Sequence, residues 1–525
     1  MNSQWSTAFA RVPDLLVAHI QLSFAALLLG LAVSLPLAIW AVRNERVARV
    51  ALGFASLAQT IPAMALLALF YPLLLAVSLL VGGAISPLGF LPALLALALY
   101  AVLPVLRNTV TGLKGVDSAA SLAADAVGMT AAQKLRIVEA PLAAPMIMAG
   151  IRTAAVWTIG AATLSVTVGQ PSLGDLIFSG LQLQNWPLVL VGCLMSAGLA
   201  ITVDMLLAVV EGAIRDRKKY RGWVALGILV VGLAMALIPK ASSEARPITI
   251  AAKGFSEQYI LSRLIGKRLK EKGYDVRYRD GLGTAIAVQA LANSDIDVLV
   301  DYSGTLWTNE LKRNDNIERG PMIDEIGRWL DEKHSIQSVG PLGFENSYAF
   351  AVRPEDAKRQ GLKDLDDLAL NSSNMSFGSD LVFLDRPEWD SVLAAYPIKF
   401  KAQRAYDPTF MYQALTSKQV DTIIAYTSDG RVAANNLVVL EDPKRAIPYY
   451  DAMMIISPEA AKDVQLKEAL STLVGKISVE LMRKANYSVD RENDKQSPSQ
   501  AAEWLDGQIQ TGLQTGRQNG LRAEK

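Results

Sequence analysis

The stretch SLAADAVGMTAAQKLRIVEAPLAAP, Ser121–Pro145, lies between long apolar runs, yet it is no simple polar connector. Small residues lead to a Gly-Met-Thr break, after which an amphipathic run extends to proline. Gly128 accommodates a turn conformation that is costly for other residues, and the Thr130 hydroxyl can cap a following helix. The spacing predicts a helix, a glycine turn and a second helix, each too short to cross a bilayer. A short helix pair of this kind lying across a bundle is a docking surface.

Outward from this segment the sequence turns apolar. A bilayer core takes about 20 apolar residues in a helix, and six stretches meet that length: Leu15–Val42, one within Val50–Leu80 interrupted by Pro62 and Pro72, Leu88–Leu106, Met146–Val168, Leu188–Val210 and Trp223–Ile238. Cytoplasmic loops retain Lys and Arg. Arg43, Arg46 and Arg49 follow the first stretch, Arg107, Lys114, Lys134 and Arg136 the third, and Arg215, Arg217, Lys218, Lys219 and Arg221 the fifth. GGAISP at Gly82–Pro87 and the loop Gly169–Pro187 carry no Lys or Arg. These loops therefore face outward, the amino terminus is expected outside, and the sixth stretch delivers everything after Pro239 to the outer side. The first stretch is too long for the h-region of a signal peptide, little positive charge precedes it, and Arg43–Arg49 follows it. Asp204 lies inside the fifth stretch near its basic end, as an interfacial anchor or a functional acid.

Composition separates two solvents. The 525 residues exceed what one hydrophobic core serves, and 51% hydrophobic with 19% charged residues suits a membrane part joined to a soluble part. No Asp, Glu, Lys or Arg occurs between Arg49 and Arg107, whereas KRLKEKGYDVRYRD, Lys267–Asp280, is as charged as a solvated surface. A balance of 51 basic and 50 acidic residues gives nucleic acid no electrostatic footing. The single cysteine, Cys193, excludes internal disulfides and thiolate metal clusters, and His19 and His334 read as a helix-face and a surface residue.

After Pro239, strand-like runs alternate with helical ones: ITIAA, then a helix from Ser256; VRYRD, then GLGTAIAVQALANSD; then IDVLVDY. Later runs at Tyr348–Arg353, Asn374–Ser379, Asp421–Thr427 and Leu437–Asp442 suit a second α/β lobe, and the chain returns through PYYDAMMII. Two lobes with two crossovers describe a clamshell. In open α/β sheets ligands bind beyond the carboxyl ends of the strands, which places Lys253, Tyr302, Thr305 and Tyr426 at cleft edges. Of 15 tyrosines, all but Tyr71, Tyr100 and Tyr220 fall in this second half.

The segment Ser121–Pro145 resembles the coupling loop of ABC importer permeases, whose pattern is Glu-Ala-Ala, a glycine a few residues on, and a later apolar-Pro. Ala123 and Ala124 match the alanines, Gly128 the glycine and Pro141 the proline, while Leu122 stands where the pattern has glutamate. QTIPAMALLALFYPL (Gln59–Leu73), AGIRTAAVWTIGAATL (Ala149–Leu164) and LGDLIFSGL (Leu173–Leu181) are similar to permeases of importers for glycine betaine, choline and carnitine. Residues 247 to 515 resemble the solute-binding proteins of the same systems. The motifs that carry this are KGFSEQ (Lys253–Gln258), YSGT (Tyr302–Thr305), NSYA (Asn346–Ala349), YQA (Tyr412–Ala414) and AYTSDGR (Ala425–Arg431).

The resemblance implies a multi-domain chain: an all-α polytopic membrane permease of about six helices, then a two-lobed α/β periplasmic-binding-protein clamshell. It places the permease at 1–222 with the coupling loop at 121–145, the last membrane helix and linker at 223–246, and the extracytoplasmic domain at 247–525. It implies a tyrosine cage for a quaternary ammonium from Tyr302, Tyr348, Tyr412 and Tyr426, with Lys253, Thr305, Arg386 and Gln258 as polar partners. A trimethylammonium group has no N–H to donate, and aromatic faces attract such an easily desolvated cation. No Gly-x-x-x-x-Gly-Lys-Ser/Thr phosphate loop is present, so the transporter needs a separate ATPase docked on the loop and a second permease subunit, expected as a homodimer. No cofactor or metal is implied, and the site expected is the bacterial cytoplasmic membrane. Within this class, ergothioneine and other trimethylammonium compounds are the alternatives to osmoprotectants. A membrane sensor needs an output module inside, where only loops are expected, and an outer-leaflet enzyme needs a nucleophile, base and orienter that the sequence does not supply.

Overall fold

The computed structural model describes residues 2–80, 88–183, 185–216, 219–237, 247–313, 315, 317–380, 383–406, 408–491 and 493–523. GGAISP and the linker residues Lys240–Arg246 lie outside them. The chain forms two compact units, a helical one and, after the linker, an α/β one.

In the helical unit, four helices are long and apolar enough to span a membrane: Ala8–Arg43, Phe90–Lys114, Ala131–Val168 and Trp186–Arg215. The expected second span is a bent pair, Glu45–Thr60 and Ala63–Ser78, turned by 105°. The break falls at Ile61, extended at φ −75° and ψ 125°, because a residue before proline is sterically driven out of the helical region. The expected sixth is the shorter apolar helix Tyr220–Ala236. Phe90–Lys114 is the central helix, with Ala93, Ala101, Val105 and Leu106 buried. Small residues allow the close crossing: a Cβ on Gly150 would lie 2.8 Å from the Pro104 carbonyl oxygen and from Asn108 Cβ. His19 is buried rather than on an open helix face; its Nε2 lies 3.0 Å from the Ile159 carbonyl and its Nδ1 accepts from Leu173 N–H at 3.3 Å. Asp204 is neither isolated nor a simple interfacial anchor. Arg152 donates to both its oxygens at 3.0 Å and to Glu211 at 2.7 Å, which ties Ala140–Ala162 to Trp186–Arg215.

In the α/β unit the strands are β1 (Ile248–Ala251), β2 (Val276–Arg279), β3 (Val298–Tyr302), β4 (Gln337–Glu345), β5 (Tyr348–Val352), β6 (Ser376–Asp380), β7 (Ala402–Tyr406), β8 (Thr422–Tyr426), β9 (Val438–Val439) and β10 (Asp451–Ile456). They form two five-stranded sheets, ordered β2-β1-β3-β10-β4 and β7-β6-β8-β5-β9. In each, parallel strands on one side meet antiparallel strands on the other. The chain leaves the first sheet between β4 and β5 and returns between β9 and β10, giving the expected two lobes and two crossovers. β3, β5 and β10 are buried along their whole length, as apolar runs covered on both faces must be. Under β5 the second lobe stacks Phe350, Phe377, Phe383, Trp389 and Phe400, with Phe377 and Phe400 centroids 4.7 Å apart.

Candidate functional site

Strand register creates the site. Tyr348 opens β5 and Tyr426 closes β8, and the antiparallel pairing sets them directly opposite each other. Their ring centroids are 5.2 Å apart. Tyr348 also meets Phe383 at 5.0 Å and stands nearly perpendicular to Tyr450 at 5.5 Å and 87°. The ring of Tyr348 is thus held by aromatic neighbours, and 8% of the residue is exposed. Arg386 lies over it, its guanidinium carbon 5.3 Å from the centroid. Burial opposes the charge of that guanidinium, and Glu388 at 2.8 Å more than restores it, leaving its affinity for the proton above the ordinary value. Burial likewise opposes ionisation of Glu388, and Arg386 overcomes this, holding the carboxyl below the usual range.

Tyr302 belongs to the first lobe, as the last residue of β3. Its hydroxyl donates to Glu257 at 2.6 Å and accepts from Gln258 at 3.1 Å, and its ring stacks on Phe255 at 6.2 Å. Glu257 is a meeting point for four donors: Tyr302, Asn346 at 3.1 Å, Ser428 at 2.5 Å and Asn486 at 2.9 Å. Burial raises its carboxyl above the ordinary range, and those donors pull the other way.

The remaining expected residues divide. Gln258 spends its amide within the first lobe, on Val300 carbonyl at 3.0 Å and on Tyr302. Lys253 is buried in an ion pair with Asp301 at 2.5 Å, its Nζ 5.8 Å from the Tyr302 centroid. Thr305 is half-buried, and among the described residues its hydroxyl has no partner. Tyr412 stands behind Tyr426: its hydroxyl accepts from Tyr426 N–H at 3.2 Å, and Arg431 covers one ring face at 4.2 Å. Sequence reasoning did not single out Tyr450, Phe383, Asp380 or Glu388. The signal for Tyr450 was its place just before a buried strand in PYYDAMMII.

The loop Ser121–Pro145 begins as expected. Helix Ser118–Ala126 is capped by Asp117, Gly128 turns the chain at φ +77°, and Thr130 and Gln133 form a capping box. Lys134 pairs with Asp125 across the turn at 2.9 Å. The second helix is not short and does not end at proline. It runs on from Ala131 into the span through Ala162, with a π turn at Leu135–Glu139 in which Ala140 N–H reaches back to Leu135. That wider turn precedes Pro141, whose ring and missing N–H would break a regular helix there. Ala124 is buried, while Ala123, Gly128 and Pro141 are exposed along with Leu122, Val127 and Ile137.

The substrate binding domain of ABC-type glycine betaine transport systems matches residues 246–507. The binding-protein-dependent transport system inner membrane component matches residues 29–216. The chain is 30% identical over 469 residues to the ergothioneine transport permease/ergothioneine binding protein of Helicobacter pylori, covering 86% of this chain and 82% of that protein. It is 42% identical over 193 residues to the choline transport system permease protein of Bacillus subtilis, covering 37% of this chain and 83% of that protein. A crystal structure of a glycine betaine/carnitine/choline ABC transporter matches at 28% identity and a TM-score of 0.45, over 49% of this chain and 97% of that one. An apolar helical permease unit and a two-sheet α/β unit in one polypeptide, each matched by its own family, make this chain a member of the binding-protein-dependent ABC importers in which the membrane permease is fused to a glycine-betaine-type substrate-binding domain.

Proposed function

We propose that the chain captures a trimethylammonium compound on the outer side of the bacterial cytoplasmic membrane and passes it inward with a second copy of the permease and a separate ATPase. The observation that carries the substrate class is the Tyr348–Tyr426 pair, a buried and a half-buried ring 5.2 Å apart at the carboxyl end of β8. A permanent cation without N–H groups is held by ring faces, each contact worth about 2 kcal/mol when desolvated. Tyr302 and Tyr412 complete the cage. Thr305, with an unspent hydroxyl, and Arg386 take a ligand carboxylate, and Lys253 and Gln258 hold the Tyr302 wall in place.

Glycine betaine, choline and carnitine carry this cation, and so does ergothioneine. The long match to a fused ergothioneine permease and binding protein favours ergothioneine as the second reading. We assign residues 1–222 to the permease, 223–246 to the last helix and linker, and 247–525 to the outer domain. The loop at 121–145 receives the ATPase, through the exposed Leu122, Val127 and Ile137 around Ala123, Ala124, Gly128 and Pro141.

Calorimetric titration of the full chain in nanodiscs against glycine betaine, choline, carnitine and ergothioneine tests the class. Saturable binding of at least one of the four is expected, and the strongest identifies the substrate. Absence of heat with all of them, in protein that melts cooperatively, removes the cage from the account.

A further inference from the structure

Cleft tyrosines in this domain donate to buried carboxylates. Tyr426 donates to Asp380 Oδ2 at 2.7 Å, and Tyr450 donates to Glu388 Oε1. Asp380 and Glu388 are 3% and 1% exposed. Asp380 closes β6, and Glu388 lies in the first turn of helix Pro387–Ala395, so the two acids come from separate elements. Their tyrosines stand on two sides of Tyr348, with centroids 5.2 and 5.5 Å from its ring. Tyr302 repeats the arrangement with Glu257.

Orienting a phenol does not require an anion, since an amide or backbone carbonyl accepts the same hydrogen bond. A buried carboxylate costs far more desolvation than either. What the anion adds is electrostatic. A phenol donating to a carboxylate gains electron density in its ring, and a negative charge in a low-dielectric cleft reaches a cation beyond contact distance. Burial and the neighbouring acids raise the Tyr426 and Tyr450 hydroxyls well above the ordinary phenol value, so both remain protonated donors.

We infer that Asp380, acting through Tyr426, is the charge selector of the cleft, so that it distinguishes a permanent cation from an uncharged molecule of the same shape, while Glu388, its charge balanced by Arg386, orients Tyr450. Tyr450 thereby becomes a wall of the cage, with Arg386 fixing Glu388 and donating to the Tyr450 hydroxyl at 3.2 Å. The inference rests on the trimethylammonium reading and adds to it residues that need not touch the ligand.

The test uses the full chain in nanodiscs, with choline, glycine betaine, carnitine and ergothioneine each paired with its analogue carrying tert-butyl in place of trimethylammonium. Asp380→Asn keeps the shape and the acceptor oxygen and removes the charge. It should weaken the cation about tenfold, or 1.4 kcal/mol, while the tert-butyl analogue shifts by less than about twofold. Tyr426→Phe keeps the ring and removes its hydrogen bond to Asp380; it should act in the same sense, and it carries the test should Asp380→Asn fail to fold. Equal losses for cation and analogue in the folded variant assign Asp380 to packing and overturn the inference, as does no loss for either. A parent chain that binds a cation and its analogue equally overturns charge selection alone. A parent that binds none of the four cations overturns the trimethylammonium reading and this inference together.

Discussion

Gly304, in the motif YSGT, faces the ring of Tyr450, and a Cβ added there would run into three of its ring carbons. The glycine is therefore a slot for an aromatic side chain arriving from the end of the second crossover. Tyr302 before it and Thr305 after it are positioned by the same turn, while Trp307 is a core anchor, fully buried with its indole N–H on the Asp315 carbonyl at 3.0 Å. Gly304→Ala must push Tyr450 away, at a cost of about 1–3 kcal/mol for overpacking. Calorimetry of the full chain should show ligand affinity falling at least about tenfold, and an unchanged affinity would mean that Tyr450 is remote from the ligand. Asp490 gives a second prediction at this scale. Burial, relieved in part by Arg431, raises it to about 6. A folded pKa above the unfolded one means that the folded chain holds a proton which the unfolded chain releases. Stability from this group is full below about pH 4 and lost as pH rises through about 6. Asp490→Asn keeps an acceptor for the Ser256 hydroxyl and should raise the melting temperature near neutral pH, flattening its fall between about pH 4 and 6. A melting profile parallel to the parent's would place the titrating group elsewhere. Tyr450 escaped the sequence reading because its partners, Gly304, Arg386 and Glu388, are brought to it only by folding.

At the scale of elements, legibility followed burial. β3, β5, β8 and β10 were readable as apolar runs because both faces of each are covered. β4 and β7 were not, and each is an edge of its sheet, as are β2 and β9, which their apolar or alternating residues did reveal. β7, AQRAY, has no fully buried residue, and β4 carries Gly340, Pro341 and Gly343 with bulges in its pairing to β10. Edge strands need neither an apolar run nor strict alternation, so periodicity gives no sign of those, like β4 and β7, that have neither. The helical unit shows the same limit. Apolar length revealed its spans, but the 105° bend at Ile61 and the continuation through Pro141 depend on local backbone geometry that hydropathy does not record. Gly128 is the element-scale test of function. At φ +77° a Cβ on Gly128 meets nothing within 4 Å, so Gly128→Ala pays backbone strain of about 1–2 kcal/mol. That strain acts on the turn between Ser118–Ala126 and the helix from Ala131. Uptake into proteoliposomes with the ATPase should be lost while calorimetric ligand affinity stays within about twofold. Normal uptake at equal protein level would take the coupling role away from this turn.

For the whole molecule, the proposed outer placement of the α/β unit rests on charge asymmetry among the loops. By the positive-inside rule Arg43, Arg46 and Arg49, then Arg107 and Lys114, then Arg215 belong on one side of the membrane. An even number of crossings returns the chain to the side on which it began, and the bent pair decides the parity. Counted as one crossing, it joins the four long spans and Tyr220–Ala236 to give six, with the termini on the same side. Counted as a re-entrant loop, it leaves five and puts the α/β unit opposite the amino terminus. Basic residues both before and after the bent pair, at Arg43–Arg49 and Arg107, are separated by two crossings only if the pair spans. Cys193 is the one cysteine, so its replacement leaves a background without thiols. Ser471, exposed at the end of helix Val464–Ser471, then offers a site in the α/β unit clear of the cleft. In the Cys193→Ser chain carrying Ser471→Cys, a membrane-impermeant maleimide should label intact spheroplasts as fully as lysed ones. Labelling seen only after lysis would put the binding domain in the cytoplasm, where capture from outside is impossible, and the bent pair would then be a loop that enters and leaves on one face.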